Sequence, residues 1–146
     1  MTYLINSTEL YDKIDEEISR VAAAAYSENG DSLYDSIVLH SNDKGEIDRL
    51  QGDAVNSLVK RNYDIITIVP RNAQGLPGLQ FNVPDIDTST EEIIREEIGR
   101  YIVLNVCAAW FQARAKDKVE EFAARGQVAL DKASIMLHTR KAPSRW

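Results

Sequence analysis

Two histidines, one cysteine and a run of carboxylates are the residues of this chain best suited to chemistry, and their spacing argues against most of it. A metal centre needs several donors converging from fixed offsets, yet His40, His138 and Cys107 stand far apart in sequence, with no H-x-x-x-H or C-x-x-C. No metal and no cofactor is expected. His138 falls at the end of an expected helix, where the dipole favours a positive or hydrogen-bonding side chain. Cys107 lies in an apolar run and reads as a small buried hydrophobe rather than a nucleophile.

The stretch "EEIIREE" (Glu91 to Glu97) places Glu92 and Glu96 one helical turn apart, the spacing of an acid pair for metal or proton transfer. Acidic residues near a helix start are expected from the dipole alone, so a solvated face is the better reading. "RNAQGLPG" (Arg71 to Gly78) is rich in turn residues, but it lacks the lysine and following Ser or Thr of a phosphate loop. It also lies between strands rather than before a helix, and reads as a plain connection. No Ser, His and Asp arrangement with nearby spacing occurs, so catalytic residues are expected to be none and the chain is read as not an enzyme.

Composition supports that reading. The 146 residues are 44% hydrophobic and 27% charged, values of an ordinary globular chain, and the length suits a single domain over 1–146. The net charge of −6 makes the surface as a whole repel nucleic acid and acidic membranes. One local exception stands out. From Lys132 onward there is no acidic residue, while Lys132, Arg140, Lys141 and Arg145 are positive and Pro143 and Trp146 sit among them. A single cysteine rules out an internal disulfide, and the start of the chain does not resemble a signal, so a reducing, cytoplasmic setting is expected. The longest apolar stretch, Tyr101 to Ala113, is too short to span a bilayer, and no membrane role is expected.

The elements that must position these residues are mostly helical. Asn6 or Ser7 can cap a helix over about 7–28, with Leu10, Ile14, Ile18, Val21 and Ala25 on one face and "ENGD" as its stop. "SLYDSIVLH" reads as a short helix. Ile47, Leu50, Ala54 and Leu58 mark an amphipathic helix over about 43–62. Two β-rich runs, 64–69 and 79–83, flank the Gly and Pro connection and read as a two-stranded hairpin. A lone hairpin is marginal in water, so it must pack on helices or on a neighbouring subunit.

Ser89 and Glu92 form an S-x-x-E capping box for a central helix over about 90–115, and Asp117 with Glu120 offers a second for a last helix over 118–138. Eleven of the thirteen residues from Tyr101 to Ala113 are apolar, which covers the central helix on several sides. Ala123, Ala124, Gly126, Ala129 and Ala133 make the last helix thin enough for close antiparallel approach. The expected fold is mainly α, an antiparallel helical bundle with a two-stranded β-hairpin inserted between the N-terminal and C-terminal helices. Its expected core includes Tyr101, Leu104, Trp110, Phe111, Phe122 and Leu130.

Trp110 and Phe111 are neighbours and point to different sides of a helix, each costly to leave in water at roughly 1.5 to 3 kcal/mol. Two covering surfaces are implied, of which one is intramolecular and the other is core or a subunit contact. The hairpin residues Ile66, Ile68 and Phe81, together with Arg140, Lys141, Pro143, Arg145 and Trp146 of the basic tail 139–146, are the candidates for assembly.

The order of elements, a β pair ending in "VPDIDTSTEE", then "IVLNVCAAWFQARAK" and "VEEFAARGQVALDKASIMLHTRKAPSRW", resembles small structural proteins of Bacteroides phages and prophages. These are similar in turn to the head-tail connector proteins (adaptor, or head completion) of tailed phages. The likeness covers about the last eighty residues and rests on the aromatic pair Trp110 and Phe111, the Ala-rich last helix, and the tail with Arg140, Lys141 and Pro143. It implies a non-enzymatic virion protein, assembled in the host cytoplasm. Many copies would form a homo-oligomeric ring between portal and tail proteins, near DNA in the channel, with the basic tail as an assembly arm. A small helical regulatory or protein-interaction module acting as a dimer is the alternative from another class.

Overall fold

The computed structural model describes residues 2–4, 6–62, 66–71, 77–81 and 88–138, with backbone alone for 2–4, 7, 67–71, 77–78 and 81. It is mainly helical. The organising element is α4 (Thr88–Phe111), whose second half is apolar nearly all round and buried from Tyr101 to Leu104, from Val106 to Ala108, and at Trp110 and Phe111. Such a helix is stable only if neighbours cover it on several sides. α1 (Ser7–Ala23), α3 (Lys44–Arg61) and α5 (Val119–His138) all pack against it.

α1 starts where Asn6 accepts the amide of Glu9 at 3.1 Å, and it buries Leu10, Ile14, Ile18 and Ala22, one residue per turn. It stops at Ala23, short of the expected 28. Asn29 and Gly30 serve a tight turn further on. The amide of Ser27 donates to the carbonyl of Asp31 at 2.7 Å, Gly30 takes φ +82°, and Tyr26 bridges Ser32. The left-handed tolerance that suggested a helix stop closes this turn instead. The expected helix in "SLYDSIVLH" is a single turn, α2 (Tyr34–Ile37), because Val38 is already extended.

A 3-10 turn, Ser41–Asp43, leads into α3, which buries Ile47, Leu50, Ala54, Val55 and Leu58. The β segment is larger than a two-stranded hairpin. β2 (Ile66–Arg71) and β3 (Pro77–Phe81) pair antiparallel, and β1 (Thr2–Leu4) pairs on the far side of β3 to give the order β1, β3, β2. Residues 64, 65, 82 and 83 of the expected strands lie outside the described residues. The register is irregular between Val69 and Arg71, at Pro70, where an edge strand tolerates a residue without an amide hydrogen.

α4 begins at Thr88, so Ser89 lies inside its first turn and not at the cap position expected of it. It ends at Phe111, whose carbonyl accepts from the amides of Arg114 and Ala115 at 3.1 and 2.8 Å. Asp117 falls within a 3-10 turn, Lys116–Lys118, rather than capping α5. The chain has reversed by then. Phe111 meets Phe122 edge to face with centroids 5.0 Å apart, and Gly126 faces Leu104 and Asn105, so α4 and α5 run in opposite directions. A Cβ on Gly126 would stand 3.4 Å from Leu104 Cβ, so the two helices lie in direct contact here with room for little more than a methyl group. Of the small residues on α5, Gly126, Ala129 and Ala133 are buried, while Ala123 and Ala124 face solvent.

Candidate interaction surface

The residues singled out for chemistry are scattered, and the two histidines are each engaged by their own neighbourhood. The His40 ring donates through Nε2 to the carbonyl of Asp35 at 2.9 Å, and its own amide donates to Asp43 Oδ2 at 2.8 Å. His138 closes α5, its Nδ1 donating to the carbonyl of Ser134 at 2.8 Å. Cys107 is fully buried, and burial pushes its thiol up to about 12, which suppresses the thiolate that nucleophilic or metal chemistry needs. Among the described residues no group of three His, Cys, Asp or Glu side chains is placed to hold a metal ion. No helix among them is long and apolar enough to cross a membrane.

Glu92 and Glu96 are exposed on α4. The neighbouring Glu97 is the carboxylate that the fold buries, 7% exposed and held by Arg100 at 2.8 Å. Tyr101 is also buried, and burial raises its phenol above the usual value against an opposing hydrogen bond from Ser57.

Trp110 and Phe111 are both covered by the chain itself, so neither is left for a subunit contact. The Trp110 indole donates to the carbonyl of Ile37 at 2.7 Å, and the Arg114 guanidinium lies 3.4 Å from its ring centroid. Arg114 also bonds the Trp110 carbonyl at 3.2 Å and meets Glu46 at 3.5 Å, tying the end of α4 to the start of α3. Leu104, Phe122 and Leu130 are buried with them.

Ile66 is 2% exposed and belongs to the same core, which corrects its place among the assembly candidates. Pairing with Phe81 across the sheet while Ile68 pairs with Leu79, itself fully buried, Ile66 sits on the inward-facing register. The side chains of Ile68 and Phe81 lie outside the described residues, as do Arg140, Lys141, Pro143, Arg145 and Trp146 entirely.

A surface that the sequence reading passed over lies at the opposite end of α1. The segment from Val21 to Asp43 contains no lysine or arginine, but four carboxylates, Glu28, Asp31, Asp35 and Asp43. It also carries exposed apolar side chains, with Tyr26 63%, Tyr34 40% and Leu33 36% accessible. Beside Tyr26 and Leu33 opens a hollow of about 490 Å³, floored by Val21, Ala25, Ile37 and Phe122.

Most charges around the hollow are matched. Arg20 pairs with Glu17, Lys118 meets Glu121 at 3.9 Å, and Arg125 lies 4.9 Å over the Phe122 ring. A second groove, about 850 Å³, continues from it between α1, α4 and α5 over Gly99, Val103 and Leu104, with Glu17, Arg20 and Arg125 common to both. The signal that could have found this surface was the absence of basic residues through a stretch with three large apolar ones.

Comparison of the chain with protein-family models, with curated proteins and with solved structures finds no match.

Proposed function

We propose that this chain is a non-enzymatic structural protein of a phage virion, a head-tail connector that forms a ring of its own copies between portal and tail proteins. The observation that carries the reading is the pairing of α4 with α5: an aromatic pair at the end of one helix, a thin Ala-rich helix after it, and a basic tail leaving its far end. These features also carry the likeness to connector proteins. Burial of Trp110 and Phe111 within the chain supports a subunit that folds by itself and leaves assembly to its periphery. An acidic body suits a wall beside DNA, which it repels rather than binds.

The exposed Val128 and Ile135, 55% and 65% accessible on the outer side of α5, favour the second reading, a helical interaction module that dimerises through that face. Mass in solution across a concentration series, with and without residues 140–146, followed by electron microscopy of large species, separates the two. Rings of many copies that the truncation abolishes are expected. A plain dimer indifferent to truncation overturns the connector reading in favour of the module.

A further inference from the structure

We propose that two copies of this chain pair through the outer edge of β1, strand against antiparallel strand, with Tyr3 of each copy at the twofold axis. Such a pair does not rest on the connector reading, because an isologous contact closes at two copies and cannot by itself run round a ring.

Backbone direction decides which edge is open. In an antiparallel ladder a residue turns its amide and its carbonyl to one neighbour, and the next residue turns both to the other side. The amide of Ile66 donates to the Asn62 carbonyl at 2.9 Å, so it is turned away from β3, and Ile66 with Phe81 is a pair without hydrogen bonds. Alternation along the register fixes the rest. Thr67 with Gln80 and Val69 with Gly78 are hydrogen-bonded pairs, which leaves Leu79 to bond Tyr3 on the other side of β3. This arrangement also asks β2 for no bond from Pro77, which has no amide hydrogen to give.

The two outer edges differ. On β2 the outward residues of the regular stretch are Ile66 and Ile68; the first amide is taken by Asn62, and beyond Val69 the register slips at Pro70. A single free donor followed by a slip and a proline gives an added strand little to pair with. On β1 the outward residues are Thr2 and Leu4, in a regular register with no charge, no proline and no strand beside them among the described residues. Such an edge is a template for a further strand.

Symmetry selects the occupant. The closed edge of β2 removes the pairing of β2 with β1 of a neighbour, so copies that join through their sheets do so β1 to β1. Thr2 and Leu4 stand on either side of Tyr3, and an antiparallel copy sets Thr2 opposite Leu4 at both ends, where every outward amide meets an outward carbonyl. The strand is its own complement. Pairing doubles a three-stranded sheet whose edge strand has only three residues, and covers the backbone groups that edge leaves to water.

The test uses full-length chains. Thr2→Cys, Tyr3→Cys, Leu4→Cys and Thr67→Cys are made separately and oxidised under native conditions, where the buried Cys107 is shielded. Tyr3→Cys should join to itself, because residues opposite each other at the twofold lie about 4.5 Å apart between Cα atoms, within reach of a disulfide. Thr2→Cys should join to Leu4→Cys when the two are mixed, and each alone should give several-fold less. Thr67→Cys, at the matching place on the β2 edge, should give no two-chain product. Leu4→Pro removes an outward amide without touching a bond inside the sheet, and should lower the Tyr3→Cys product several-fold.

Circular dichroism of each variant checks that the fold is intact, and amide exchange of the unaltered chain gives a second readout, in which Thr2 and Leu4 should slow as the protein is concentrated. Absence of the product at position 3, an equal product at position 67, indifference to Leu4→Pro, or exchange at Thr2 and Leu4 that does not change with concentration overturns the proposal. Rings seen in electron micrographs without the cross-link at position 3 remove this contact and leave the connector reading standing. A cross-linked pair that never enlarges does the reverse.

Discussion

The indole nitrogen of Trp110 donates to the backbone carbonyl of Ile37 at 2.7 Å, joining two positions 73 residues apart. α2 is a single turn with little of its own to hold it, and this bond, made in the core from the central helix, pins its last carbonyl in place. The α1–α2 surface therefore depends on a residue buried behind it.

Trp110→Phe keeps most of the apolar volume and removes the donor, leaving the Ile37 carbonyl unpaired. Urea denaturation should register a loss of about 1 to 3 kcal/mol, the cost of an unsatisfied buried group, whereas Trp110→Ala should lose about 3 to 5 kcal/mol. Hydrogen exchange at Val38, whose amide bonds the Tyr34 carbonyl at 2.9 Å, should speed up in Trp110→Phe before the rest of the protein changes.

Gly126 tests the closeness of α4 and α5. Alanine there would bring its Cβ to 3.4 Å from Leu104 Cβ, an ordinary contact, while regaining up to about 1 kcal/mol of helix propensity, so Gly126→Ala should be neutral or mildly stabilising. Gly126→Leu has nowhere to place its side chain without parting the helices, and should cost roughly 1 to 3 kcal/mol or more in thermal or urea unfolding.

Cys107 gives a pH signature. Its thiol rises from 9.0 to about 12 because burial disfavours the thiolate. The unfolded chain gives up that proton first, so stability is full below about 9 and falls as the pH climbs from there towards about 12. Cys107→Ala should remove the part of the alkaline decline that begins near 9, leaving the later part from Tyr11 and Tyr101, which are raised above 10.0 chiefly by burial. In the native protein the thiol should resist a disulfide reagent at neutral pH and react only on unfolding.

Arg61 Nη2 and Asp131 Oδ1 lie 2.5 Å apart and link α3 to α5, but both side chains are nearly half exposed, at 43% and 45%. Solvent and salt screen such a pair, so Arg61→Ala should cost no more than about 1 kcal/mol, with the difference vanishing at high ionic strength. A loss as large as that of Trp110→Ala would mean that this bridge, and not the apolar core, fixes α3 against α5.

Much of the helical content was legible in the sequence because it follows from local rules. The stripe Leu10, Ile14 and Ile18, the cap at Asn6, and the all-round apolar run after Tyr101 each state a helix and its buried side without reference to the rest of the chain. Turn chemistry was legible in kind and not in place. Asn29 and Gly30 specify a left-handed residue, but whether that residue ends a helix or closes a turn depends on what the next segment packs against.

The tertiary structure decided the partners. β1 is too short to signal itself, and it exists because β3 offers a free edge. Ile66 reads the same in sequence whether it faces a neighbour or its own core; only the packing of the sheet puts it inside. The sequence by itself determined which residues repel water and where the charges fall, including an acidic stretch near one end and a basic one at the other. Only the fold brought Val21 and Ala25 of the first helix and Ile37 of the second beside Phe122 of α5, a juxtaposition that no local pattern states. The physical reason is that patterning is written locally, whereas distance belongs to the assembled helices.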